Sequence, residues 1–126
     1  MVEFELFQAW ETFKLKNKNS TYVIFKSSIL FERGWGSKFN KIISVFAPKD
    51  ERVSRCRLDS NMRGDYIWSL LNSEMSDLFK NSKSHYIIHN YDTGPDLIDQ
   101  INLIDEKLVN YYLECLDKNR QKNKFY

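Results

Sequence analysis

Cysteine, proline and glycine are all scarce in this chain, at two, two and four among 126 residues. The two cysteines, Cys56 and Cys115, lie far apart and in different expected elements. That excludes a disulfide-dense scaffold and reads as two ordinary thiols in a reducing compartment. Gly34-Trp35-Gly36 is the nearest approach to a glycine-rich loop, and it is too short to cradle a phosphate. There is no paired Cys-x-x-Cys and no serine-nucleophile elbow. No run approaches the roughly 18–20 apolar residues that a membrane helix needs. The start, Met1-Val2-Glu3-Phe4-Glu5, has neither the basic opening nor the apolar run of a secretory leader. A cytoplasmic protein without membrane association is the expectation.

What is present argues against disorder: 42% of residues are apolar and 15% aromatic. The length suits a single domain, read here as residues 1–117, followed by a basic, frayed tail over 118–126. Charge is unevenly spread. Residues 33–63 carry eight basic groups against three acidic, and residues 64–117 carry ten acidic against three basic, although the whole chain is only +2. Such a layout points to a charged partner on at least one side.

The strongest periodic signal is at residues 94–116. Leu97, Ile101, Ile104, Leu108, Tyr111 and Cys115 recur every three or four residues, with Ile98, Val109, Tyr112 and Leu116 beside them, and together they make a broad helical stripe. Gly94-Pro95 opens this helix, with Thr93 or Asp92 as its cap. Residues 65–79 form a second helix on Ile67, Leu71, Met75 and Leu78. Residues 4–15 lean to helix on Leu6, Trp10 and Phe13. Residues 21–31 read as the clearest strand, because Tyr22-Val23-Ile24-Phe25 is β-branched and aromatic. Residues 39–46 favour a strand, with a helix from Ser37 as the alternative. Residues 52–58 alternate as an exposed strand that turns Cys56 to the core, and residues 85–91 form a short strand. The fold class that follows is α+β: a small antiparallel sheet of about four strands, with the long C-terminal helix and one or two further helices packed on it. If residues 4–15 and 37–46 are both helical, the protein is mostly α.

Three constellations bear on function. Asp99, Glu106 and Glu114 fall on the outer side of the long helix. With Tyr91 and Asp92 they form an acidic face suited to a protein partner with a basic surface. Arg52, Arg55, Arg57 and Arg63, with Trp35 among them, suit single-stranded nucleic acid through phosphate contact and base stacking. His85 and His89 share one face of a strand and are the candidate acid and base of a metal-independent nuclease. The leading expectation is a non-catalytic protein-binding module, an inhibitor or immunity-type protein that blocks a toxin or nuclease. The single-stranded nucleic-acid binder and the histidine nuclease are its alternatives. No cofactor and no metal are expected, the balance leans away from an enzyme, and the chain is a monomer or a homodimer.

Overall fold

The computed structural model describes residues 2–124. In chain order the elements are α1 (Val2–Lys16), a single 3-10 turn (Gly36–Lys38), β1 (Ile43–Phe46), α2 (Lys49–Ser60), α3 (Gly64–Ser73), α4 (Asp77–Lys83), β2 (Tyr86–His89) and α5 (Leu97–Asn123). They fall into two compact units, one of residues 28–103 and one of residues 1–27 with 104–126.

In the unit of residues 28–103, β1 and β2 form a two-stranded parallel sheet, with Ile43 opposite Tyr86 and Phe46 opposite His89. This corrects the antiparallel four-strand sheet expected from the sequence. Parallel neighbours need a crossover, and here α2, α3 and α4 supply it. The described residues form five α-helices and two strands, so the mostly-α alternative fits in part.

α2 occupies the stretch that alternated like an exposed strand. Pro48 stands at its N-cap position, Asp50 and Glu51 complement its first turn, and Arg57 lies in its last. Asn61 ends it in the left-handed region at φ 53°. Val53 alone of this helix is a buried apolar residue, which is why the helical period left so faint a trace. Cys56 is exposed rather than turned to the core, and no disulfide joins it to Cys115.

Residues 65–79 are two helices, not one. The chain breaks at Glu74-Met75-Ser76, where the Ser76 hydroxyl caps α4 by accepting from the Phe79 N–H at 3.2 Å. Glu32 holds the break from outside, accepting from the Met75 N–H at 3.2 Å and from Lys80 Nζ at 2.9 Å. Burial pushes the Glu32 carboxyl up, but the hydrogen bonds and the Lys80 charge outweigh it and hold the group below its ordinary value. Buried apolar residues of this unit are Trp35, Ala47, Val53 and Ile67.

In the other unit, α1 presents Phe7 and Trp10 to Phe25, with ring centroids 6.3 and 5.2 Å away. The stretch expected to be the clearest strand is therefore not one. Residues 22–27 have no regular structure and join no ladder, and residues 28–34, in the unit of residues 28–103, turn back on themselves through bonds such as Arg33 N–H to Ile29 O at 3.0 Å. Gly34, at φ 68°, takes the left-handed position that this turn requires. Tyr22 donates its hydroxyl to Asp105, which raises the phenol's pKa above its ordinary value.

α5 begins at Leu97, three residues later than Gly94. Its cap is Asp96 rather than Thr93 or Asp92: one carboxylate oxygen accepts from the N–H groups of Ile98 (2.8 Å) and Asp99 (3.2 Å). Among the described residues no helix is long and apolar enough to cross a membrane.

Candidate active site

Parallel strands end on the same side, and the crevice beyond their carboxyl ends is where open α/β sheets bind ligands. Here that edge is built by Phe46, Ala47 and Pro48 after β1 and by His89, Asn90 and Tyr91 at the end of β2. Three rings meet there. Phe46 lies edge-on to His89 at 6.2 Å and to Tyr91 at 5.9 Å, and His89 and Tyr91 are 5.4 Å apart. His89 Nδ1 and the Tyr91 hydroxyl are hydrogen bonded at 2.9 Å, which fixes the imidazole plane and leaves Nε2 as its second polar atom.

Beneath the rings a guanidinium clamp holds the loop after β2. Arg55 Nη2, from α2, donates to the Asn90 carbonyl at 2.9 Å and pairs with Glu51 and Asp92, each at 3.0 Å. Asn90 N–H continues the ladder onto the Phe46 carbonyl at 2.8 Å. From α5, Gln100 closes the outer side of β2: its Oε1 accepts from the His89 N–H at 2.8 Å, and its Nε2 donates to the His89 carbonyl at 2.9 Å. The result is an aromatic edge beside an arginine already paired with two carboxylates. It suits a flat ring better than a bare anion.

The structure regroups the residues singled out from the sequence. His89, Tyr91, Asp92 and Arg55, drawn from three separate constellations, come together at this edge. His85 does not join them: it precedes β2 at the opposite end, where its Nδ1 accepts the Ile42 N–H at 3.0 Å. The two histidines therefore do not form an acid–base pair.

The other arginines disperse. Arg52 pairs with Asp77 at 2.6 Å and lies 3.8 Å from Glu74. Arg57 lies over Gly64, and Arg63 pairs with Asp65 at 3.1 Å on the surface. A shallow, open concavity lined by Met62, Arg63, Asp65 and Tyr66 lies at this turn. Trp35 is buried and offers no stacking face. Asp99 sits in the first turn of α5, and Glu106 and Glu114 lie exposed further along it.

Gln100 and Glu51 were not singled out from the sequence. Only a parallel reading of residues 39–46 and 85–91 would have brought Phe46 to His89.

Comparison with known proteins gives this architecture its family. The model of the dephospho-CoA kinase (CoaE) family matches residues 2–96. Two dephospho-CoA kinases from two strains of Bacteroides fragilis are 28% and 27% identical over 116 and 115 residues, each covering 91% of this chain and 55% of the relative. The chain thus spans about half the length of the curated relatives it matches. It belongs to the dephospho-CoA kinase family. That finding overturns the inhibitor or immunity-type module and replaces its two alternatives. The charge layout that motivated them is partly consumed inside the fold, in Arg52 with Asp77 and Arg55 with Glu51.

Proposed function

We propose, from membership of the dephospho-CoA kinase family, that this chain performs part of the work of such a kinase. Its share is to hold an adenine nucleotide against the carboxyl edge of β1 and β2. The supporting observation is the family match over residues 2–96, which spans the parallel strand pair and the Phe46–His89–Tyr91 cluster. Dephospho-CoA and ATP both carry an adenine ring, and aromatic edges bind such rings by stacking, worth about 1–3 kcal/mol per base.

The cradle for the transferred phosphate is not assigned to these residues. None of Gly34, Gly36, Gly64 and Gly94 stands in a G-x-x-x-x-G-K-[ST] run. Phosphoryl transfer uses a metal ion that bridges the nucleotide phosphates. Among the described residues no three His, Cys, Asp or Glu side chains converge to hold one. A cytoplasmic location goes with this reading and is supported by two cysteines that no disulfide joins.

The test is titration of the full chain with dephospho-CoA, ATP and adenosine, followed by NMR of the His89 ring and the Tyr91 amide. Saturable shifts at both residues with dephospho-CoA or ATP, lost in Tyr91→Ala, are expected. Unmoved His89 and Tyr91 signals at millimolar concentrations of all three ligands would overturn the reading.

A further inference from the structure

The loop that carries Tyr91 runs from the end of β2 to the start of α5, and apolar burial does little to hold it. Residues 92–99 are exposed throughout, and Tyr91 itself is half-buried. Polar side chains fasten it instead. Arg55 reaches its near end, at the Asn90 carbonyl and the Asp92 carboxylate. Gln100, half-buried on α5, holds both ends at once.

The Asn90 N–H turns inward to the Phe46 carbonyl, so the peptide groups of His89 face away from β1. Gln100 takes both of them: Oε1 accepts from the His89 N–H at 2.8 Å, and Nε2 donates to the His89 carbonyl at 2.9 Å. The second hydrogen of Nε2 serves the far end of the loop, where the Pro95 carbonyl lies at 3.2 Å and that of Asp96 at 3.4 Å. One side-chain amide thus joins residue 89 to residue 95 and closes the loop between them. Inside it the Tyr91 ring lies over Gly94, and the Tyr91 hydroxyl returns to His89 Nδ1 at 2.9 Å. The arrangement asks for one acceptor and two donors on a single planar group. A primary amide has them; a carboxylate would set an oxygen against the carbonyls of His89 and Pro95.

We propose that Gln100 is a positioning residue for nucleotide binding: by tying His89 to Pro95 it holds Tyr91 on His89, so that the edge offered to an adenine ring is already formed. The proposal rests on the nucleotide reading above and gives Gln100 its effect through Tyr91 and His89. Fixing the loop before binding spares the ligand the cost of ordering it.

The test compares the full chain with Gln100→Glu and Gln100→Ala, by ATP titration at pH 8 and pH 5 and by the nuclear Overhauser contacts between the Tyr91 and His89 rings without ligand. Ionised, the new carboxyl of Gln100→Glu lacks the donors; protonated, it regains one donor beside its acceptor. Its ordinary pKa is about 4.3, and the facing carbonyls raise it. Gln100→Glu should therefore lose the ring contacts and at least tenfold in ATP affinity at pH 8, and recover to within threefold of the native chain at pH 5. Gln100→Ala should lose both at either pH. Ring contacts that persist in both variants at pH 8, or ATP affinity unchanged where those contacts are lost, overturn the proposal. So does loss of the folded state in both variants, which would make the bridge a matter of stability alone. A native chain that binds no ATP, dephospho-CoA or adenosine overturns the nucleotide reading and this role with it. Binding by the native chain without the pH-dependent rescue overturns this role alone.

Discussion

Glu32 shows how one carboxylate can fasten several elements. It receives Lys80 and the Met75 N–H, and its pKa is held below the ordinary value. The unfolded chain therefore binds more protons near pH 4 than the folded one. The stability this group contributes is present above the ordinary carboxylate pKa and is lost as pH falls through the lowered folded value. Thermal melts between pH 7 and pH 3 should show this loss, and Glu32→Gln should flatten it while lowering the melting temperature at pH 7.

Gly94 gives a second expectation at this scale. A Cβ there would lie 2.6 Å from a ring carbon of Tyr91 and 2.8 Å from its Cβ. Gly94→Ala should displace Tyr91 and break its bond to His89, read as a loss of nucleotide affinity larger than the loss of stability. In the sequence, His85 and His89 looked equivalent because strand alternation puts both on one face. The structure separates them by position along β2, one bonded to a backbone amide and one to Tyr91, a difference that alternation does not encode.

The elements themselves were legible where burial is periodic and obscure where it is not. α5 announced itself through repeated apolar spacing, and residues 39–46 and 85–91 through β-branched content. Residues 21–31 had stronger strand chemistry than either of these, yet Phe25 is spent on Phe7 and Trp10 and Ile24 is 69% exposed. A strand needs a partner, and propensity does not supply one. The break between α3 and α4 was hidden because Met75 and Leu78 continued the helical spacing, while Ser76 carried the true signal as a cap. Ser76→Ala should cost about 1 kcal/mol, and Asp96→Ala a similar amount at the start of α5. Chemical denaturation at constant slope would measure both.

For the whole molecule, the short list of buried apolar residues matters most. Among the described residues these are Trp10, Trp35, Ala47, Val53, Ile67 and Ile104, and no side chain is less than 2% exposed. Cores this thin leave little margin over chain entropy. Calorimetry of the chain alone should give a low, broad transition. A partner bound to the folded form at a hundred times its Kd should add about 2.7 kcal/mol. Function was the least legible quantity in the sequence. Kinase chemistry is usually read from a glycine loop, and the residues that gather at the strand ends are individually ordinary.

The pairing of β1 with β2 also constrains the order of assembly. Ile42 and His85 meet across 43 positions of chain, and between the end of β1 and the start of β2 lie α2, α3, α4 and their connections. No hairpin can nucleate this sheet, and closing so long a loop is repaid only once α2, α3 and α4 have shortened it. The carboxyl edge is therefore among the last features to form in a refolding chain. A probe at Tyr91 should report a later event than far-ultraviolet helix signal does.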